Sequence, residues 1–362
     1  GLPPQLGGMG DQEFKDAIAR VIQFSSQVDP DDGVYIDISP GAIGNNTLGT
    51  NNGIGYEVNP FTGEPYEPNL VKRADYGRIL AEFWADGPDS ETPPGHWNTL
   101  ANYVSDHPLI VKQIGATGPV VSDLEWDVKL YFAINGALHD AAIAAWDAKR
   151  KYDYVRPISA IRYMGGKGQS TDPEGLSYDP DGLPIVLDLI EVITEETTTP
   201  RGKHSHLIAY EGFMAIYAWR GEPEDSENQF SGSGWILAED WLPYQRSNFV
   251  TPPFAGYISG HSTFSRAAAE VLTAFTGSQY FPGGLGTLKA EKDHFLEFEI
   301  GPTEEVTLQW ATYFDASDEA GISRLWGGIH VDADDLEGRI VGSIIGVDAY
   351  NLAMGYINGT VQ

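Results

Sequence analysis

The sequence predicts a mainly α fold of packed helical bundles preceded by a loop-rich N-terminal arm. Three observations predict it. Beyond Arg73, apolar residues recur mostly at three- and four-residue spacing. Few segments alternate with period two, the mark of half-buried strands. A chain of 362 residues, 41% of them hydrophobic, can bury a large core in one domain or two. We read one domain over 1–362, with the arm at 1–72 and the helical core at 73–362.

A first short helix is read at 11–28, followed by "NNTLGTNNGIGYEVNPFTGEPYEPN", whose Asn, Gly and Pro content forbids long regular elements. "YGRILAEFWADG" reads as a helix stopped at Gly87, and Asn98 as the cap of another over 98–103. A long alanine-rich helix is expected at 123–151. Further helices are expected at 184–195, 207–218, 262–276, 306–322 and 334–357, with Pro184 suited to a first helical position. Turn-rich stretches at 165–183, 221–234 and 278–288 separate them. "DPDDG" and "DPDG" lack the ligand spacing of a calcium loop and read as turns.

With 52 acidic and 22 basic side chains the formal net charge is −30, which argues against nucleic-acid and anionic-membrane partners and makes any cluster of Lys and Arg stand out. The most apolar window, "IVGSIIGVDAYNLAMGYI", contains Asp348, so no membrane span is expected. The absence of cysteine excludes disulfides, thiolate catalysis and iron–sulfur ligation. Only 4 methionines are present, a poverty in oxidisable sulfur compatible with life beside a strong oxidant. The chain opens on Gly1 rather than Met, as a processed product does, and a secreted or periplasmic location is expected. Nothing in the sequence selects an oligomeric state.

Three clusters set polar groups in apolar surroundings. In "NGALHDAAIAAWDAKRKYDYVRP", Ala142, Ala145, Trp146 and Lys149 share one helix face. Alone, Lys149 would read as a snorkelling lysine. Arg156 precedes Pro157, which biases it away from helix, so the chain breaks there and Arg156 can turn back. In "GYISGHSTFSR", Ser259, Gly260 and His261 open a helix at the point where backbone N–H groups lack partners. In "AGISRLWGGIHVDADD", Ser323, Arg324 and His330 stand among Ile322, Leu325, Trp326 and Ile329. Singly, these residues read as a cap, an ion-pair partner and satisfied core histidines. Together they offer three cations, neutral donors and two imidazoles, a toolkit for a tetrahedral oxyanion at a helix N-terminus. The helices are accordingly expected to pack around a central oxyanion site.

Lys149-x6-Arg156-Pro157, Ser259-Gly260-His261 and Ser323-Arg324-x3-Gly328-x-His330 resemble, in order and spacing, the three-part signature shared by vanadium-dependent haloperoxidases and type 2 phosphatidic-acid-phosphatase-like acid phosphatases. "RADYGRILAEFWADGPDSETPPGHW" resembles bacterial haloperoxidases of this group. One departure is Ile258, where the family usually has Pro. The resemblance implies a vanadate cofactor. His330 would be its covalent ligand, and Lys149, Arg156, Ser259, the Gly260 N–H and Arg324 would hold its oxygens. His261 would be the acid–base and Asp334 the partner that orients His330. Hydrogen peroxide, polarised by Lys149, and halide would be the substrates, hypohalous acid the product and a small organic molecule its acceptor.

The signature leaves two activities open, since the matching phosphatases use the residue at the His330 position as nucleophile. Trp146 and Phe254 tilt the reading to the haloperoxidases, which they resemble at both positions; an aromatic wall suits a weakly hydrated halide. Algal bromoperoxidases carry His at the position of Phe254, while fungal chloroperoxidases and some marine bacterial iodoperoxidases carry Phe, so Phe254 points away from the algal type without separating chloride from iodide. Iodide is the easiest halide to oxidise, and with the bacterial resemblance of residues 73–97 and the acidic composition the preference is read as iodide first and bromide next. The pair His204 and His206 has no carboxylate at a usual metal-ligand spacing. His139 and His96 read as structural, with His96 a candidate for the entrance.

Overall fold

The structure, a computed structural model, describes residues 1–84 and 91–361. The chain runs through α1 (Asp11–Ser26), β1 (Tyr35–Asp37), α2 (Pro40–Ile43) and β2 (Leu70–Lys72), then α3 (Arg73–Phe83), α4 (Pro93–Ser105), α5 (Asp123–Tyr152) and α6 (Pro157–Lys167). It continues with β3 (Ile190–Val192), β4 (Met214–Trp219), β5 (Ser233–Leu237), α7 (Gly260–Thr276), β6 (Gly286–Ala290), β7 (Val306–Trp310), α8 (Tyr313–Trp326) and α9 (Asp332–Ile357). The fold is mainly α, as expected. The sheets are small and antiparallel: β1 with β2, the order β3-β4-β5, and β6 with β7.

Three expected helices are corrected. Residues 184–195 form a tight turn, with the Ile190 N–H donating to Val186 O at 2.8 Å, and then β3. Residues 207–218 hold a 3-10 turn and then β4, whose "MAIYAW" is paired on both sides and almost wholly buried. A strand covered on both faces shows no alternation, so its apolar run resembles a buried helix. Residues 306–322 begin as β7, whose "VTLQW" alternates between buried and half-buried, and α8 starts only at Tyr313, behind a Thr312–Asp315 capping box. Two helices were missed, the four-residue α2 in the arm and α6, which Pro157 opens. The second helix starts at Pro93 with Thr92 as its cap, so Asn98 lies inside it. The expected stop at Gly87 lies outside the described residues. The two Asp-rich loops are turns: Asp29 and Asp179 each accept the N–H two residues on, from Asp31 and Asp181.

One core cluster joins α3, α4, α5, α7 and α8 with the β6–β7 hairpin; a second joins α1, α6 and the three-stranded sheet. The buried face of α7, namely Phe264, Ala268, Val271, Leu272 and Phe275, lies in the first. Against it α9 presses a stripe of glycines. A Cβ would lie 2.9 Å from Ser259 O at Gly338, 2.5 Å from Thr263 O at Gly342 and 2.5 Å from Ala267 O at Gly346. Only glycine allows the two backbones to run this close. Asp335 and Arg339 of α9, both fully buried, pair with each other, and Arg339 Nη1 reaches Asp318 of α8 at 3.1 Å. By length and composition α9 could cross a membrane; in this fold its inner face carries the glycine stripe and these buried charges. The arm lies over α8, α9 and the β6–β7 region through Asn45 N–H to Asp315, Arg339 to Thr50 O and Tyr66 OH to Gly284 O.

Gly342→Ala is expected to destabilise the protein by about 1–3 kcal/mol, because the added methyl meets backbone rather than a side chain that can move. Gly136→Ala on the exposed side of α5, where nothing lies within 4 Å of the new Cβ, is expected to stabilise it by about 0.5–1 kcal/mol. Urea unfolding of both variants checks the pair.

Candidate active site

The end of α5 supplies the first cation. Lys149 stands in its last turn, 3% exposed, and the helix stops at Asp153, in the left-handed region at φ 44°. Lys149 Nζ donates to Ala255 O at 2.9 Å and to Gly256 O at 2.7 Å. Arg156 is extended (φ −89°, ψ 151°) before Pro157, as proline demands of its predecessor. It donates from Nε to Phe254 O and from Nη1 to Ile329 O, both at 2.8 Å. The two cations are thus held by main-chain oxygens, and the Phe254 ring lies 5.4 Å from Lys149 Nζ and 5.3 Å from Arg156 Cζ.

Ser259 caps α7, its hydroxyl accepting the Ser262 N–H at 3.3 Å. Its own N–H donates to Asp334 O at 2.9 Å, and Ser262 Oγ donates to Asp335 Oδ1 at 2.7 Å, so the first turns of α7 and α9 are tied together. Gly260 is the first helical residue, whose N–H has no acceptor within the helix. A Cβ on Gly260 would lie 3.2 Å from the Trp146 ring.

His330 follows α8 on a tight turn at Gly328 (φ +72°). Its Nδ1 lies 2.8 Å from Asp334 Oδ2, which also accepts the Val331 N–H at 3.2 Å. The proton is therefore assigned to Nδ1 and the lone pair to Nε2, which lies 3.1 Å from Arg156 Nη1. His261 Nε2 lies 2.7 Å from Trp84 O, and Arg324 Nη1 donates to the same oxygen at 3.3 Å. The carbonyl just past α3 thus gathers two site residues.

Burial sets the protonation of the site, and the neighbouring cations reinforce it. His330 is held well below the ordinary imidazole value by burial, then by Arg156 and Lys149. His261 is held low by burial, then by Arg324 and His96. Burial and the Arg156 charge push Lys149 down, burial pushes Asp334 up, and Arg156 is lowered to about 10. Positive charge is crowded into a dry space, and an entering anion relieves it.

That space is a cavity of about 500 Å3. Lys149, Arg156, Gly260, His261, Arg324 and His330 line it, with Trp146 and Phe254 among its walls. Ser259 and Asp334 stand behind the lining and fix Gly260 and His330. Trp146 and Phe254 are 44% and 41% exposed with ring centroids 5.2 Å apart, so they form a rim rather than core packing. The sequence reading missed Arg246, Phe249 and Phe298, which also line the cavity. Arg246 was findable as the basic residue nearest before the Ser-Gly-His triplet; Phe298 arrives from a loop that no spacing connects to the site. His96 lines a different cavity and His139 is exposed. His204 Nδ1 bonds Thr197 Oγ1 and His206 Nε2 bonds Trp235 O, and among the described residues no cluster of His, Asp and Glu could hold a metal ion.

The model of the VCPO second helical-bundle domain family matches residues 129–177 and 206–359, more than half of the chain and all three signature segments. The chain belongs to this family. A bacterial vanadium-dependent chloroperoxidase in its apo form superposes with a TM-score of 0.58 at 17% identity, over 97% of this chain and 50% of that one. Its holo form gives 0.54 at 16% identity, over 95% and 48%. A bacterial vanadium-dependent iodoperoxidase gives 0.47 at 18% identity, over 97% and 51%. The chain therefore spans about half the length of these structures, and the likeness to the chloroperoxidase shows a common fold. No curated protein matches the chain in sequence.

The depressed histidines fix a sign for stability in the anion-free protein. Below the unfolded imidazole value of about 6.5 the unfolded chain takes up protons that the folded chain refuses. The histidines' contribution to stability is therefore flat above that value and falls as pH drops through it, by up to about 1.4 kcal/mol per pH unit for each histidine. Glu82 and Glu319, raised by burial to about 8 and about 7, act oppositely and cancel when wild type is compared with a histidine variant. Urea unfolding of wild type and His330→Gln from about pH 5 to pH 8 checks this: the wild type is expected to lose stability faster on the acid side.

Proposed function

We propose that the protein is a vanadate-dependent haloperoxidase. It oxidises halide with hydrogen peroxide to hypohalous acid, iodide being favoured and bromide next, and a small organic molecule accepts the halogen. The observation that carries the reading is the convergence of Lys149, Arg156, Arg324, His261 and His330 on one aromatic-rimmed cavity at the N-terminus of α7. Family membership and the chloroperoxidase fold support it.

The donor set suits a tetrahedral oxyanion. Lys149, Arg156 and Arg324 supply charged N–H groups for its oxygens, the Gly260 N–H supplies a neutral one with the Ser259 cap behind it, and His330 offers the Nε2 lone pair of a neutral imidazole as a metal ligand. Bound vanadate would supply a Lewis-acidic centre that activates peroxide toward halide without a change in metal oxidation state. Asp334 orients His330 and raises its basicity through the Nδ1–H bond. His261 donates through Nε2 to Trp84 O, so its neutral ring carries its lone pair on Nδ1, the atom that would accept a proton from peroxide and give it back. The Lys149 ammonium would hold and polarise the peroxide. Trp146 and Phe254 exclude water and give weakly hydrated iodide an apolar approach.

Vanadium analysis and triiodide formation test the reading together. Chelator-treated, dialysed protein is expected to be inactive, to recover with vanadate and to be inhibited by phosphate. His330→Ala is expected to lose vanadium, whereas His261→Ala keeps it and loses about two to four powers of ten in rate. Full peroxidase activity in vanadium-free protein overturns the proposal; vanadate-independent hydrolysis of a phosphate ester points instead to an acid phosphatase with His330 as nucleophile. Initial rates are expected to fall from iodide to bromide to chloride, and Phe254→His to shift the iodide-to-bromide ratio.

A further inference from the structure

A second cavity, of about 380 Å3, shares Phe298 with the anion pocket. It is walled by rings: Phe83 stacks with Trp310 at 6.4 Å, Phe281 lies 6.1 Å from Trp310, and Phe295 lies 6.5 Å from Phe83. Its size and its lining of aromatics with a few polar groups are those of a small-molecule site. None of the residues assigned to the oxyanion borders it.

The polar groups define the guest. His96 lines the cavity and is 3% exposed. Its Nδ1 lies 3.2 Å from Thr92 O and must donate there, which puts the lone pair of the neutral ring on Nε2. That atom is buried and lies 3.6 Å from Glu91 Oε2, beyond hydrogen-bond distance. A lone pair facing a carboxylate across that gap favours a guest that brings an O–H between the two acceptors. Glu91 and Glu297 also border the space and disfavour an anionic guest. The cavity therefore fits a neutral aromatic molecule bearing a hydroxyl group.

Its position connects it to the anion pocket. Phe298 is a wall of both. On α4, Pro93 lines the anion pocket while His96, three residues on, lines the aromatic one. Arg246 of the anion pocket pairs with Glu297 of the aromatic one. We infer that this cavity binds the organic acceptor, a neutral hydroxyaromatic compound, beside the place where halide is oxidised. This inference rests on the haloperoxidase reading. In the transfer, hypohalous acid gives its halogen to a ring carbon: the carbon–halogen bond forms and the oxygen–halogen bond breaks. The hydroxide released takes the displaced ring proton and leaves as water. The ring is oxidised by two electrons and the halogen reduced by two.

The test is the binding of 2-naphthol to vanadate-loaded protein, followed by its fluorescence without peroxide or halide. Saturable binding is expected. Leu100→Trp and Thr287→Trp, which fill the cavity from different walls, are each expected to weaken it by about ten-fold or more. Circular dichroism establishes that each variant folds. If neither does, the position of 2-naphthol in soaked wild-type crystals decides: density beside His96 supports the inference and density elsewhere overturns it. No saturable binding, or undiminished binding in both folded variants, overturns the inference while leaving iodide oxidation by wild type intact. Binding with no halide oxidation by vanadate-loaded wild type instead overturns the haloperoxidase reading and removes the acceptor role with it.

Discussion

The site depends on how closely two helix backbones approach. Gly338, Gly342 and Gly346 repeat every four residues on α9, facing Ser259, Thr263 and Ala267, which repeat every four residues on α7. With no side chains between them, the first turns of the two helices come within hydrogen-bonding reach. Ser259 can then donate to the Asp334 carbonyl and Ser262 can reach the Asp335 carboxylate. The same first turn of α9 carries the Asp334 side chain that orients His330. One packing constraint therefore sets both the helix terminus that faces an anion and the imidazole opposite it.

Electrostatics completes what packing begins. The cavity crowds positive groups where burial already penalises charge, and both histidines respond by staying neutral. A neutral His330 with its proton fixed on Nδ1 presents a lone pair; a protonated one would present none and would repel the neighbouring Arg156. Asp334 selects the useful form through geometry, while Arg156, Lys149 and Arg324 select it through charge. The carboxylates that offset the buried cations elsewhere, such as Asp335 and Asp318 around Arg339, are kept outside the cavity lining.

The site was more legible in the sequence than the fold around it. Lys149, Arg156, Gly260, His261, Arg324 and His330 were named by local spacing and meet in one cavity, because each sits at a helix end whose sequence marks it: a last turn, a residue before proline, a cap, a glycine turn. Long helices such as α5 and α9 showed because their apolar stripes persist over many turns. β4 was misread because a short strand buried on both faces has no period to detect, and β3 because three residues, one buried and two half-buried, are too few to show one. The start of the 306–322 segment was different: "VTLQW" does alternate, and the helical pattern that follows it masked the change of period. Phe298 and the Trp84 carbonyl were hidden because they reach the site from a loop and a helix end far away in the chain.

The anchors of the site are mostly main-chain oxygens. Lys149 is held by Ala255 and Gly256, Arg156 by Phe254 and Ile329, and His261 and Arg324 by Trp84, each through a carbonyl. Every residue type carries that carbonyl, so substitution at the anchoring positions changes the rim and the walls while the anchor itself survives. The catalytic geometry is thereby insulated from point replacement and exposed mainly to insertions and deletions, which move the backbone path. A chain built this way can drift far in its letters while its charged groups keep their places, provided its loop lengths hold.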